Sequence, residues 1–171
     1  MRRIGVGALA LLLLGWMAAV GPAPAAEAAG AGVVAVIVHP QTATGKVDAD
    51  ALAQIYKRRR LYWRDGARIQ PVNLPADHPL RRRFSQAVLH QLPEAMDEYW
   101  NEQYFHGALP PHVLASAAGV LRFVGATAGA IGYVDPCTLD DSVRLLMIIG
   151  ADGRVLAADA ERRAPCAEPA R

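Results

Sequence analysis

An unbroken apolar run at residues 33–38 places the strongest constraint on how this chain can fold. It reads Val-Val-Ala-Val-Ile-Val, and a run this short and this rich in β-branched side chains favours a strand over a helix. Because no polar residue interrupts the run, both faces of the strand are expected to be buried. The chain is therefore expected to form a parallel or mixed sheet with helices on its faces.

Helical and strand patterns alternate along the rest of the chain. Four helices are expected, starting from the caps Asp48 or Asp50, from the cap Asp77, at Pro93 and at about Ser116. The third of these helices is expected to bury the side chains of Trp100, Tyr104 and Phe105 in the core. Further strands are expected at residues 69–72, 131–134 and 143–149, the last turning back as a hairpin into residues 154–157. This order predicts an α/β domain, a mixed sheet flanked by helices.

The first 28 residues have the pattern of a secretory signal peptide. Arg2 and Arg3 precede an apolar run at residues 4–20, and small residues follow the Gly21-Pro22 break. Cleavage is expected after Ala25 or Ala28, with an uncleaved anchor as the alternative. The prediction is a periplasmic or secreted domain at residues 29–158 with a polar tail at residues 159–171, and no membrane contact after cleavage.

Charge and cysteine content narrow the function classes. The net charge is +2, and removal of Arg2, Arg3 and Glu27 with the leader lowers it to +1, which argues against a nucleic-acid binder. In an oxidising compartment the two cysteines, Cys137 and Cys166, are expected to form a disulfide. A catalytic thiol is the alternative, but no histidine or cationic motif lies nearby in the sequence.

Enzyme and metal signatures are missing from the sequence. The five histidines lack zinc-ligand spacing, and no serine stands in a nucleophile motif, so no catalytic residue, metal or cofactor is expected. Two groups of cations remain as candidates. One is a basic patch of Lys57, Arg58, Arg59 and Arg60, which either binds an oxyanion or acidic partner or complements a helix C-terminus. The other is Arg81, Arg82 and Arg83, whose positive charge in a first helical turn opposes the helix dipole; this indicates either an anion or carboxylate partner or a solvated helix face.

Four segments together resemble one known family. They are the strand at residues 33–39, the segment 52–57 ending in Trp63-Arg64-Asp65-Gly66, the strand and helix from residue 69 to Phe84, and Gly129-Ala130-Ile131-Gly132-Tyr133-Val134. In this order they resemble the substrate-binding proteins of phosphate ABC transporters, which have the type 2 periplasmic-binding-protein fold. The resemblance implies a non-enzymatic protein that binds phosphate or another small oxyanion and contacts a transporter or other envelope protein.

The loop that would hold the anion departs from the family pattern. Family members carry serine and threonine there, at a helix N-terminus. Residues 73–81 contain neither; Pro79 has no N–H, and Asp77 adds a negative charge. The candidate ligand-binding residues are therefore Asn73, Asp77, His78, Arg81 and Tyr133.

Chain length raises an alternative function. The mature chain is about half as long as a typical two-lobed member, so enclosing a solute would need a dimer, a partner or a reduced second lobe. The alternative is an envelope scaffold or sensor partner that has lost ligand binding.

Overall fold

The computed structural model describes residues 32–157; the predicted signal peptide and Cys166 lie outside the described residues. Within this stretch the helices and strands are, in chain order, β1 (Val34–Val38), α1 (Ala49–Tyr56), β2 (Gln70–Asn73), α2 (Pro79–Leu89), α3 (Asp97–Phe105), β3 (His112–Val113), α4 (Ala117–Ala126), β4 (Ala130–Val134), β5 (Arg144–Ile149) and β6 (Val155–Ala157). Short 3-10 helices lie at Pro93–Met96 and Pro136–Thr138. None of the helices within residues 32–157 is long and apolar enough to span a bilayer.

The strands form one mixed sheet in the order β3-β2-β4-β1-β5-β6. Strand β2 runs parallel to β3 and β4, whereas β1 is antiparallel to β4 and β5, and β5 and β6 form the expected hairpin. All five residues of β1 are fully buried. The prediction of an α/β domain with a mixed sheet around this apolar strand is therefore confirmed.

Alternating residues of β4 separate the helices onto two faces of the sheet. Gly132 faces α4, and a Cβ built on it would lie 2.5 Å from Val120 Cγ1, so the absent side chain lets the helix approach closely. The next residue, Tyr133, points to the opposite face and stacks on Phe84 of α2. Helices α1 and α2 contact each other and share that second face.

The start of α2 differs from the prediction. His78, not Asp77, is the N-cap residue: its backbone is extended, and its Nδ1 accepts a hydrogen bond from the Leu80 N–H at 3.2 Å. The expectation that Asp77 caps this helix is wrong because the chain enters the helix one residue later. Of the two caps predicted for α1, Asp48 is the one that the structure has, and α4 begins where predicted, with Ser116 as its N-cap.

The expectation that α3 buries Tyr104 and Phe105 is also wrong. Their side chains are 65% and 86% exposed, and Trp100 is half-buried. The predicted stripe assumed one continuous α-helix from Pro93, but residues 93–96 form a 3-10 turn, which changes the rotation per residue. Helix α3 is instead held in its first turn, where the Tyr99 hydroxyl donates to the Lys57 carbonyl at 2.8 Å.

Candidate functional site

Three aromatic rings from three elements form the centre of the site. The Phe84 ring of α2 stacks on the Tyr133 ring of β4 with centroids 4.2 Å apart and an interplanar angle of 7°. The Tyr56 ring of α1 tilts against Phe84 at 4.5 Å. All three side chains are at most 1% exposed. Rings packed this tightly fix the positions of α1 and α2 over the sheet.

The two tyrosine hydroxyls hold the carboxyl end of β2. Tyr133 donates to Asn73 Oδ1 and accepts from the Leu74 N–H, both at 3.2 Å. Tyr56 donates to the Val72 carbonyl at 3.3 Å. The structure therefore brings together two of the candidate residues, Asn73 and Tyr133, in one buried network. Here the hydroxyls orient the chain that leads into α2.

Both tyrosines are neutral over the physiological pH range. Burial raises the pKa of Tyr133 to about 12, although the positive charge of Arg81 and the hydrogen bond from Leu74 act in the opposite direction. Burial, with a smaller contribution from Tyr133, raises the pKa of Tyr56 well above its usual value, again opposed by Arg81. The cluster therefore supplies no negative charge to balance the arginine beside it.

Arg81 is the buried cation of this site. Its side chain is 8% exposed, and in the part of the chain that the structure describes Nε and Nη1 are buried without a hydrogen-bond partner. One helical turn further on, the Ser85 hydroxyl is fully buried and likewise has no partner there. A buried charge without a partner is costly, so these unsatisfied donors mark the position as a candidate binding site. A planar guanidinium can bind two oxygens of such an anion at once.

The backbone at the start of α2 contributes little to an anion site. Pro79 has no N–H, and the N–H groups of Leu80 and Arg82 are bonded to His78. Asp77 is exposed to solvent just before this turn. Recognition at this helix start would therefore depend on side chains, chiefly Arg81, rather than on the free N–H groups that bind anions at many helix N-termini.

Two arginines of the predicted basic patch, Arg58 and Arg59, contact different parts of the protein. Arg59 lies over the Tyr99 ring, 5.7 Å from its centroid. Arg58 instead donates through Nη1 to the Ile69 carbonyl at 3.5 Å, close to the amino end of β2. The backbone N–H of Arg60 bonds back to Gln54 in α1, and the Lys57 carbonyl accepts from Tyr99. Residues 57–60 follow the C-terminal end of α1, and the side chains of Arg58 and Arg59 contact different parts of the protein.

Sequence reasoning missed Tyr56 and Ser85 as members of the site. Tyr56 lies in the segment 52–57 that carries the family resemblance, and Ser85 is one of the serines that stand outside any nucleophile motif. The spacing of Arg81 and Ser85 was the available signal, because residues four apart lie on the same side of a helix and Phe84 marks that side as buried.

Two further features considered from the sequence are the disulfide and a metal site. Cys137 lies in the 3-10 turn after Asp135, and its expected partner Cys166 lies outside the described residues, so the disulfide stays a prediction. Within residues 32–157 no group of three or more histidine, cysteine, aspartate or glutamate side chains is placed to hold a metal ion.

Comparison with solved structures identifies the fold. The chain is similar to an ABC-type phosphate transport receptor from Vibrio cholerae, with a TM-score of 0.53 and 18% identity over 66% of this chain and 44% of that one. It is also similar to a structure from Clostridium perfringens described as a phosphate ABC transporter substrate-binding protein with bound phosphate, with a TM-score of 0.54 and 19% identity over 66% and 43%. No protein-family model and no curated protein sequence matches the chain.

These similarities confirm the resemblance in fold predicted from the sequence. The domain has the α/β architecture of phosphate-type periplasmic binding proteins. The chain spans less than half the length of either solved structure. At this level of identity the likeness concerns the fold, and any shared ligand is a separate question.

Proposed function

We propose that this chain is an exported solute-binding-type domain that binds a small oxyanion, phosphate being the first candidate, through Arg81 and Ser85. The observation that carries the proposal is the buried Arg81 guanidinium, whose Nε and Nη1 have no partner among the described residues. The neighbouring tyrosines are neutral and do not balance this charge, which a bound anion would do.

In the proposed site, side chains bind the anion in place of the backbone N–H groups and hydroxyls of a loop. The hydroxyl-rich loop of the phosphate-binding family is missing, and the cap of His78 occupies the first free donor of α2. Arg81 supplies paired N–H donors instead, and Ser85 supplies a hydroxyl on the same side of the helix. Asp77 is exposed, so water and salt screen its repulsion of an incoming anion.

The cellular setting follows from the leader and the fold together. The predicted signal peptide at residues 1–28 would deliver the domain to the periplasm or the exterior. Both solved structures are described as phosphate transport components. An ABC transporter, or another envelope protein, is accordingly the proposed protein partner, and the proposed role is solute binding rather than catalysis.

Calorimetric titration of the purified protein with phosphate and with sulfate tests the proposal. Arg81→Gln should weaken binding about 10- to 100-fold, since a hydrogen bond to a charged group contributes about 1.5–3 kcal/mol. Arg82→Gln is the matched control, because Arg82 is the next residue of the same helix, is 40% exposed and pairs with Glu94. Circular dichroism of both variants verifies folding.

Two results would overturn the proposal that an oxyanion binds at Arg81. One is the absence of saturable heat with either anion up to about 10 mM, which is weaker than useful solute capture. The other is equal binding by wild type and Arg81→Gln. The first result would favour the scaffold or sensor-partner function, in which this fold no longer binds a solute. The second would mean that the anion binds away from Arg81.

A further inference from the structure

A groove runs along the amino-terminal half of β2, at the opposite end of that strand from Arg81. Its volume is about 310 Å³, and β2 and the residue before it form the floor. Arg58 and Arg68 line it, together with Pro110, Pro111 and Phe123. This volume lies at the lower limit of pockets that hold small organic ligands.

The charged lining of the groove is entirely positive. Arg58 and Arg68 both line it, and no acidic side chain does. Burial and the nearby charge of Arg68 lower the pKa of Arg58, which is the expected effect of two cations held near each other. Among the described residues neither arginine has an ion-pair partner. An anion bound near both guanidinium groups would relieve this repulsion.

Arg58 is held in place by its backbone as well as by its side chain. Its φ of 57° is left-handed, which is uncommon for a residue other than glycine. The conformation ends α1, with the Arg58 N–H bonded to the Ile55 carbonyl, and the side chain reaches the Ile69 carbonyl. One donor of the guanidinium is thus anchored, and its other donors remain for a ligand.

The sheet edge in the groove is poorly suited to a peptide. Strand β3 pairs with β2 only at Val72 and Asn73, so the preceding residues of β2 lie beyond the end of β3. One of them is Pro71, which cannot donate to an added strand. The prolines of the loop before β3 and the half-buried Phe123 of α4 offer flat apolar surface instead. A compact ligand fits these features better than an extended chain.

We propose that this groove binds a small organic anion, whose carboxylate or phosphate group lies between Arg58 and Arg68 and whose apolar body lies against Phe123, Pro110 and Pro111. The ligand class differs from that of the Arg81 site, because inorganic phosphate has no apolar body. Arg58 supplies the fixed donor, Arg68 the second charge, and Phe123 the apolar contact.

Titration with benzoate and phenyl phosphate, followed by NMR of the backbone amides, tests this proposal. Benzyl alcohol, which lacks the charge, and inorganic phosphate, which lacks the ring, are the ligand controls. Both aromatic anions should shift the amides of Ile69, Gln70 and Phe123. Arg58→Gln and Arg68→Gln should each weaken binding about 10-fold, whereas Arg64→Gln, an exposed arginine of the same loop region that does not line the groove, should not.

The outcomes separate this site from the one proposed at Arg81. Binding that survives in Arg81→Gln and is weakened in Arg58→Gln supports the groove, whatever the result with inorganic phosphate. The proposal is overturned if neither aromatic anion saturates by about 10 mM. It is equally overturned if benzyl alcohol binds as well as benzoate, or if the shifted amides surround Arg81 instead.

Discussion

The two ends of β2 place arginines in opposite environments. At the carboxyl end Arg81 is 8% exposed and lies with Tyr56, Phe84 and Tyr133, which are at most 1% exposed. At the amino end Arg68 is exposed and Arg58 half-buried, beside an open groove. One strand thus connects a closed, aromatic-walled site to an open one.

Burial decides how much an arginine without an ion-pair partner costs in free energy. Water can solvate the arginines of the open groove, so their charge costs little and a ligand gains little from neutralising it. The buried guanidinium of Arg81 has lost most of that solvation, and its neighbours are neutral. Replacing the buried arginine should therefore change the stability of the ligand-free protein, whereas replacing a groove arginine should hardly change it. A ligand bound at either site would stabilise the fold by mass action.

The largest expected contrast is between the two phenylalanines that line these sites. Phe84→Ala should lower the free energy of unfolding by about 3–5 kcal/mol, because it empties a fully buried position between two rings. Phe123→Ala, at a half-buried position, should cost about 1–2 kcal/mol. Urea denaturation measures both, and equal losses would contradict the distinction between a closed and an open end.

Alkaline pH should destabilise the protein through the closed site. The pKa of Tyr133 is about 12 in the folded protein against 10.0 as its ordinary value, so the unfolded chain releases this proton first. The contribution of this residue to stability should then be constant well below pH 10.0 and be lost as the pH rises towards 12, by about 2–3 kcal/mol in total. Urea denaturation from pH 9 upward should show a shallower decline for Tyr133→Phe. An identical decline in both proteins would mean that Tyr133 does not contribute.

The smallest expected effect lies in the open groove. Arg58→Gln should change the free energy of unfolding by less than about 0.5 kcal/mol in buffer without organic anions, since its one long hydrogen bond to Ile69 is partly exposed. Arg68→Gln should be equally mild. A loss of several kcal/mol in either variant would show that these arginines are structural, and thermal denaturation is sufficient to detect it.

Sequence alone predicted the sheet better than it predicted the sites. The run that became β1 has one physical solution, because an unbroken apolar strand needs two covered faces. The single glycine of β4, Gly132, leaves room for a closely packed helix. The failures at Asp77 and Tyr104 depended on where a helix starts and how tightly it turns. Such shifts of one residue are decided by tertiary contacts that no local pattern contains.

Only part of the candidate site could be predicted from the sequence, for a related reason. Arg81 was selected because its charge opposes the helix dipole, but its burial and its nearness to Tyr56 and Tyr133, which come from distant parts of the chain, arise only in the folded protein. The basic run at residues 57–60 looked like one patch, whereas the left-handed turn at Arg58 directs that side chain away from Arg59 and Tyr99. The charged residues of a sequence indicate the sign of a partner's charge but not where on the fold the partner binds.

The central claim, that Arg81 is a buried cation awaiting an anion, is tested most directly by the stability of Arg81→Met with and without phosphate. In anion-free buffer the variant should be as stable as wild type or more stable by about 1–3 kcal/mol, because methionine fills the space without unpaired donors. Phosphate at about 100 times its dissociation constant should stabilise wild type by about 2.7 kcal/mol and leave Arg81→Met unchanged. A variant that is less stable than wild type in anion-free buffer, together with a wild type that phosphate does not stabilise, would contradict the account and make Arg81 a structural residue.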